Sequence, residues 1–549
     1  MNSKLIKWVG TIGSAALVSV ALAGVGTQQV GATSTSIPQH GGTLTLDLNG
    51  NFPHLDPAKA YDTLSDEAVE QFYDQLVTYK GATNTIVPDL ATYKISNGGK
   101  TYTFFIKKAT FWNGQPVTAQ SFISEFERVL NPKIQSGGSA FIDPIIVGSD
   151  AYAKGQAKTI TGMKAINSHT LQINLTNPSA TFLYVLAMPF YSAIDPSYVK
   201  AHPESYIDQQ PMGSGPFELA SFVPGKDYIL TRNPHYFKLG IPYLNKIVFH
   251  INGSPQAVML NYEKGTTGLI SWNQGGAGGV PPQDYLPMST NPIYSKTLHK
   301  YLEVAVYYLG LNTKIGATKN VQVRRALEYA VDKSQIVKIL GGLAEPANQV
   351  IPPSMPSAYE KKLPSNASYS FNPSLAKKLL TKAGYPHGFT TTISTDNAGT
   401  TDLRIAQAIQ QMFANVGVKA TINETSFSTF LNNNEAGKQA IFTFRWLEDF
   451  PDPSDFLNTL FNSNEAPVNN STNYSNSKVD ALLNKAALMP AGAARNNTYK
   501  QAQNIIMSEA PWIPLVYPEY VAAVQPWVKG YYFNPNLEDP LQYMWISKH

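Results

Sequence analysis

There is no cysteine among the 549 residues. That excludes a disulfide framework, a thiol nucleophile and a cysteine-bound metal, and it leaves the compartment open. Charge is also scarce: 15% of residues are Asp, Glu, Lys or Arg, against about a quarter in an average soluble protein. No lysine/arginine run forms a nucleic-acid footprint, so nucleic acid is not an expected partner. Beyond residue 25 no segment approaches the ~18 consecutive apolar residues that a membrane-spanning helix needs. Catalytic signatures are missing as well. No Gly-x-Ser-x-Gly elbow occurs, and no histidine pair has His-Glu-x-x-His spacing. The nine histidines are scattered. His54, His235 and His250 could meet only through folding, and isolated histidines are the commoner outcome. No cofactor and no metal are expected, and no enzyme activity.

What is present is a large apolar fraction, 43%, with 30 tyrosines supplying much of the polarity. The length suits about three domains. Lys4 and Lys7 precede an uncharged run from Val9 to Val25, and Val30-Gly31-Ala32 offers small residues to a signal peptidase. Residues 1–32 therefore read as a secretory signal peptide; a retained membrane anchor is the alternative. Without Lys4 and Lys7, the 42 basic residues fall to 40, against 38 acidic ones.

Taken in order, Thr43 to Leu48 alternates with period two, as a half-buried strand does. Leu55-Asp56-Pro57 ends that segment, and apolar positions from Asp66 to Val77 make a helical stripe. Thr92–Ser96 and Thr101–Lys107 form a hairpin around Asn97-Gly98-Gly99-Lys100. Gly99-Lys100-Thr101 is not a phosphate loop, because Lys94 stands where the first glycine is required. Thr118 is a candidate N-cap for a helix from Ala119 to Leu130. Later come helical patterns at 323–332, 374–383 and 402–416, a strand at 418–423 and a buried apolar run from Ala440 to Phe444. That run leads into Arg445-Trp446-Leu447-Glu448-Asp449-Phe450-Pro451-Asp452-Pro453. Proline cannot continue a ladder, so the chain leaves the strand here and Asp449 sits at its end. A plain surface turn is the competing reading. Asp66-Glu67 and Asp452/Asp455 read as helix-start or solvated carboxylates.

Several stretches in this order resemble one family. They are Phe111-Trp112-Asn113-Gly114-Gln115-Pro116, Gly213-Ser214-Gly215-Pro216-Phe217, Arg232-Asn233-Pro234-His235-Tyr236, Leu311-Asn312-Thr313 and Pro511-Trp512-Ile513-Pro514-Leu515. The chain from about 41 to 520 resembles the oligopeptide/dipeptide/nickel-binding family of extracytoplasmic solute-binding proteins (family 5), components of ABC importers. Family members in Gram-positive cells are commonly lipoproteins, but here Leu22-Ala23-Gly24 is followed by Val25, so no lipobox cysteine is present.

The resemblance implies an α/β fold of two lobes closing like a Venus flytrap (class II, cluster C), with an extra subdomain in the N-terminal lobe. Lobe I would comprise 41–85, 205–300 and a C-terminal return, 525–549. The inserted subdomain would cover 86–204 and lobe II 301–524, with hinges near 304–311 and 514–521.

In peptide-binding members, the acid of a Trp-x-x-Asp segment pairs with the ligand's ammonium group, which falls here on Asp449. Trp446 would supply a flat apolar wall. Tyr61 and Thr63 lie where backbone pairs with an extended ligand, and Trp272-Asn273 where another segment lines the cleft. Arg445 is the adjacent candidate for a ligand carboxylate, although strand alternation turns it from the Asp449 side.

The expected function is capture of peptides outside the cytoplasmic membrane by a monomer. It would deliver them to ABC permease transmembrane subunits driven by cytoplasmic ATPases. A nickel chelate or an oligosaccharide is the alternative ligand, and a secreted peptide hydrolase or chaperone the alternative class.

Overall fold

Thr43–Leu48 pairs in parallel with Lys246–Ile251, which joins Asp227–Arg232 and Phe217–Val223 in an antiparallel run, giving a four-stranded mixed sheet. The computed structural model describes residues 37–547, except 49, 252–253, 272–278 and 398–399. The leader, Trp272 and Asn273 therefore lie outside the described residues.

Leu44, Leu46 and Leu48 alternate into a core with Phe217, Leu230, Ile247 and Phe249. The helix Thr63–Phe72 packs on this core and is shorter than the 66–77 stripe implied. Its end is fixed from outside: the Phe72 carbonyl accepts the Gly215 N–H at 2.8 Å instead of closing another turn. A Cβ at Gly213 would lie 1.7 Å from that carbonyl oxygen, so only glycine fits the approach. Val77 instead opens the short strand Val77–Tyr79.

A second, wholly antiparallel sheet takes the order Ala91–Ser96, Thr101–Ile106, Thr170–Asn174, Met163–Asn167. The expected hairpin is its first pair. The helix Ala119–Val129 covers it, starting from a capping box in which Thr118 and Ser121 bond reciprocally.

The third sheet has eight strands. Its spine is Trp512–Val524, a 13-residue strand that serves several partners along its length. Residues 512–516 pair with Ala305–Leu311, 516–518 with Ala344–Pro346, and 519–523 with Leu298–Leu302; Leu269–Ile270 pairs at its far end. On the other side of Ala305–Leu311 runs Ile441–Leu447, then the parallel strands Thr390–Asp396 and Lys419–Thr425. The helices Val321–Ala330, Pro373–Lys382 and Thr400–Ala414 flank this sheet close to where periodicity placed them.

Candidate functional site

The strand Ile441–Leu447 lies antiparallel to Ala305–Leu311, with Leu447 opposite Ala305. One further bond follows, from the Glu448 N–H to the Val304 carbonyl at 3.2 Å. The two chains then part, leaving Glu303 on one and Glu448-Asp449 on the other. Glu303 occupies a break between the strands Leu298–Leu302 and Ala305–Leu311, and its N–H bonds to the Pro518 carbonyl at 3.1 Å.

The 449 loop is held from below. Asp452 caps the helix Pro453–Phe461 and receives both terminal nitrogens of Arg495, at 2.6 and 2.8 Å. Asp455 Oδ2 accepts from the Trp446 indole N–H at 3.0 Å and from the Asp449 backbone N–H at 3.3 Å. The helix-start reading of Asp452 is thus correct. The solvated reading is not: both carboxylates are buried, because the arginine and the indole satisfy them.

Across from this loop, the helix Thr63–Phe72 begins with Asp62 accepting the Ser65 N–H at 2.9 Å. The preceding Tyr61 donates its hydroxyl to Asp449 Oδ1 at 3.0 Å. The residue is 54% exposed, and burial, with the neighbouring Asp449 carboxylate, raises the pKa of its phenol. A Cβ at Gly137 would lie 2.7 Å from the Tyr61 ring, so the loop at Gly137 can close on it only without a side chain. Phe190 stands 5.4 Å from the same ring, and Phe141 contacts Phe450 at 6.3 Å.

A third wall comes from the C-terminal segment 531–539. Asn534 anchors it by donating to the Gly81 carbonyl at 2.6 Å, and the Glu538 N–H donates to Glu70 Oε2 at 3.0 Å.

Between these walls lie two adjoining spaces, one larger than the other, that share Thr63, Leu447, Pro535, Leu537 and Glu538. Tyr61 and Asp449 line the larger, with Asp66, Glu70 and Glu448; Glu303 and Asp539 line the smaller. Among the described residues, no lysine, arginine or histidine lines either.

The result is a concentration of buried acids. Burial pushes Asp449 up to about 6, against the pull of the Tyr61 hydrogen bond. Burial also lifts Asp66 to about 8, helped by Asp62, and Glu303 to about 7, opposed by Arg445. Glu448, Glu70 and Glu538 are raised for the same first reason. A space lined by carboxyl groups and no cation suits an ammonium or guanidinium group, whose charge would draw a neighbouring acid into its ionised form.

The residues expected from sequence divide accordingly. Tyr61, Thr63 and Asp449 come together on the larger space. Trp446 turns toward the hydrophobic core beneath the sheet and is spent on Asp455. Arg445 is exposed on the opposite strand face, its guanidinium 5.7 Å from the Tyr307 ring. No sequence pattern singles out Glu303, Glu448, Glu70 or the segment 531–539, and Asp66, which reads there as a helix-start or solvated carboxylate, lines the larger space. Glu448 was adjacent to the anchor and could have been flagged. His54 and His250 sit apart, beside Asp208 and Asp227. Among the described residues no cluster of His, Asp and Glu could hold a metal ion.

Residues 85–467 match the middle region of the bacterial extracellular solute-binding proteins, family 5. The chain is 30% identical to heme-binding protein A of Haemophilus influenzae, covering 85% of both chains. It is 28% identical to a glutathione-binding protein of Escherichia coli, over 90% of this chain and 92% of that one. Among solved structures, it is similar to a Helicobacter pylori periplasmic binding protein associated with an ABC transporter, in complex with the peptide STSA. That likeness has a TM-score of 0.74 and 25% identity, over 93% of this chain and 99% of the other. The mixed α/β architecture is accordingly the two-lobed fold of periplasmic binding proteins. This chain belongs to family 5 of the bacterial extracellular solute-binding proteins.

Proposed function

We propose that this protein captures peptides outside the cytoplasmic membrane and delivers them to the membrane subunits of an ABC importer. The observation that carries this reading is the Asp449 carboxylate. It is fixed at a strand end, sits over a cavity, and faces no cation among the residues lining it. A peptide's α-ammonium group would replace the Tyr61 hydroxyl there and form a charge-assisted hydrogen bond in a site screened from water. The relative solved with the peptide STSA supports a peptide as ligand.

We assign 41–85, 205–300 and 525–549 to lobe I, 86–204 to its subdomain, and 301–524 to lobe II. Closure would bend the two crossing strands near 304–311 and 514–521. A ligand favours the closed form only by its greater affinity for it. The family consists of binding proteins, and we read this chain as one without catalysis, exported by the leader and working as a monomer.

The experiment is a calorimetric titration of the intact chain with a short peptide and its N-acetylated form. The free amine should bind and the acetylated peptide should fail; equal affinities would remove Asp449 as the anchor. A second reading has support in the heme-binding and glutathione-binding relatives, whose names point to other ligands.

A further inference from the structure

The cleft holds more carboxyl groups than one ammonium group requires. Its smaller space is lined by Glu303, whose residue is only 6% exposed and whose Oε2 has no hydrogen-bond partner among the described residues. A buried carboxylate oxygen left in this state costs free energy that a donor from a ligand would recover. Its position relative to the amine anchor is set by backbone. The Glu448 N–H to Val304 carbonyl bond places Glu303 alongside Glu448-Asp449, just where the two strands part. Glu448 feels both Glu303 and Asp449 as like charges. The nearest cation, Arg445, offsets Glu303 only in part: it lies on the exposed strand face over Tyr307 and makes no ion pair with Glu303 among the described residues.

We infer that the cleft selects ligands with a second positive charge, and that Glu303 receives it: a peptide carrying a lysine or arginine side chain close to its free amino end. This rests on the amine-anchor reading above and adds the ligand's charge class to it. Tyr520, Tyr531 and Phe533 line the smaller space, giving aromatic surface for an aliphatic stem to pack against. Ligands of the other sign find no partner, because no lysine, arginine or histidine among the described residues lines either space. Glutathione carries two carboxylates and heme two propionates, so the chemistry named for the two relatives finds no such partner here.

The test is a calorimetric series on the intact chain: Ala-Ala-Ala, Ala-Lys-Ala, Ala-Glu-Ala, glutathione and N-acetyl-Ala-Lys-Ala. Ala-Lys-Ala should bind at least tenfold more tightly than Ala-Ala-Ala, with Ala-Glu-Ala and glutathione weaker than either. In Glu303→Gln the affinities for Ala-Lys-Ala and Ala-Ala-Ala should converge. This isosteric change removes a buried charge, so thermal unfolding should show a fold at least as stable as the parent.

Equal affinity of the parent for Ala-Lys-Ala and Ala-Ala-Ala would overturn the inference while leaving the amine anchor standing. A lysine preference that persists undiminished in Glu303→Gln would overturn the role of Glu303. Failure of the anchor itself looks different: N-acetyl-Ala-Lys-Ala would then bind as tightly as the free peptide.

Discussion

The phenol of Tyr61 and the carboxylate of Asp449 meet at 3.0 Å although 388 positions separate them in the chain. One precedes a capped helix and the other follows a strand end, and the bond spans the space between. It shows the carboxylate already in use as an acceptor, with a donor that a ligand's ammonium group can replace at little cost in geometry. Asp449→Ala should therefore weaken binding of a free-amine peptide by about 2 kcal/mol or more, the cost of leaving a buried ammonium group unpaired. Calorimetry giving the parent affinity would take Asp449 out of recognition.

Replacing Tyr61 by Phe removes the same bond without touching the acid. With no ligand, the variant should spend more time open, seen as a larger radius of gyration by small-angle X-ray scattering. Saturating peptide should return it to the parent value. An unchanged ligand-free radius would mean that the Tyr61 bond has no part in holding the two sides together.

Acidity should act on binding and on stability in opposite directions. Asp449 must be ionised to hold an amine, and its pKa stands at about 6. Peptide affinity should be level above about pH 7 and fall as the pH drops through 6. Asp66, at about 8, and Glu303, at about 7, have folded values above those of an unfolded chain. The folded state thus binds the extra protons, and these groups favour folding more as the pH falls from 8 toward 5. Asp66→Asn should raise the unfolding midpoint at pH 8, by about 2 °C or more, and much less at pH 5. A rise of equal size at both pH values would mean that Asp66 ionises normally.

The pair of Arg495 and Asp452 tests the support beneath the loop. Arg495 is 2% exposed and binds Asp452 through two nitrogens. Arg495→Ala would strand a buried carboxylate, at a cost of about 3–5 kcal/mol in urea-induced unfolding. A loss below ~1 kcal/mol would show that the helix cap alone holds Asp452.

Much of this was legible in the sequence where one local pattern decides the outcome. The apolar run before two prolines marked the strand end, and Asp449 was found there. Trp446 offers both a flat ring and an indole donor, and only the fold shows the donor bonded to Asp455, nine residues on. The stripe from 66 to 77 misled because buried residues continue past Phe72 although the helix does not; Gly215, far along the chain, ends it. Glu303 carried no signal at all. Its meaning depends on a break between paired strands, which exists only in the folded sheet. The C-terminal wall was invisible for a similar reason: Asn534 reaches Gly81 across 453 positions.

The strand Trp512–Val524 has a consequence for how the chain comes apart. Its first half is laced to residues 305–311 and its second half to 298–302 and 269–270. A cut near residue 304 would leave the 305–311 ladder whole but would strip residues 298–302 and 269–270 of the strand they pair with. Melting should therefore proceed as one cooperative event, and the halves should not survive as independently expressed pieces.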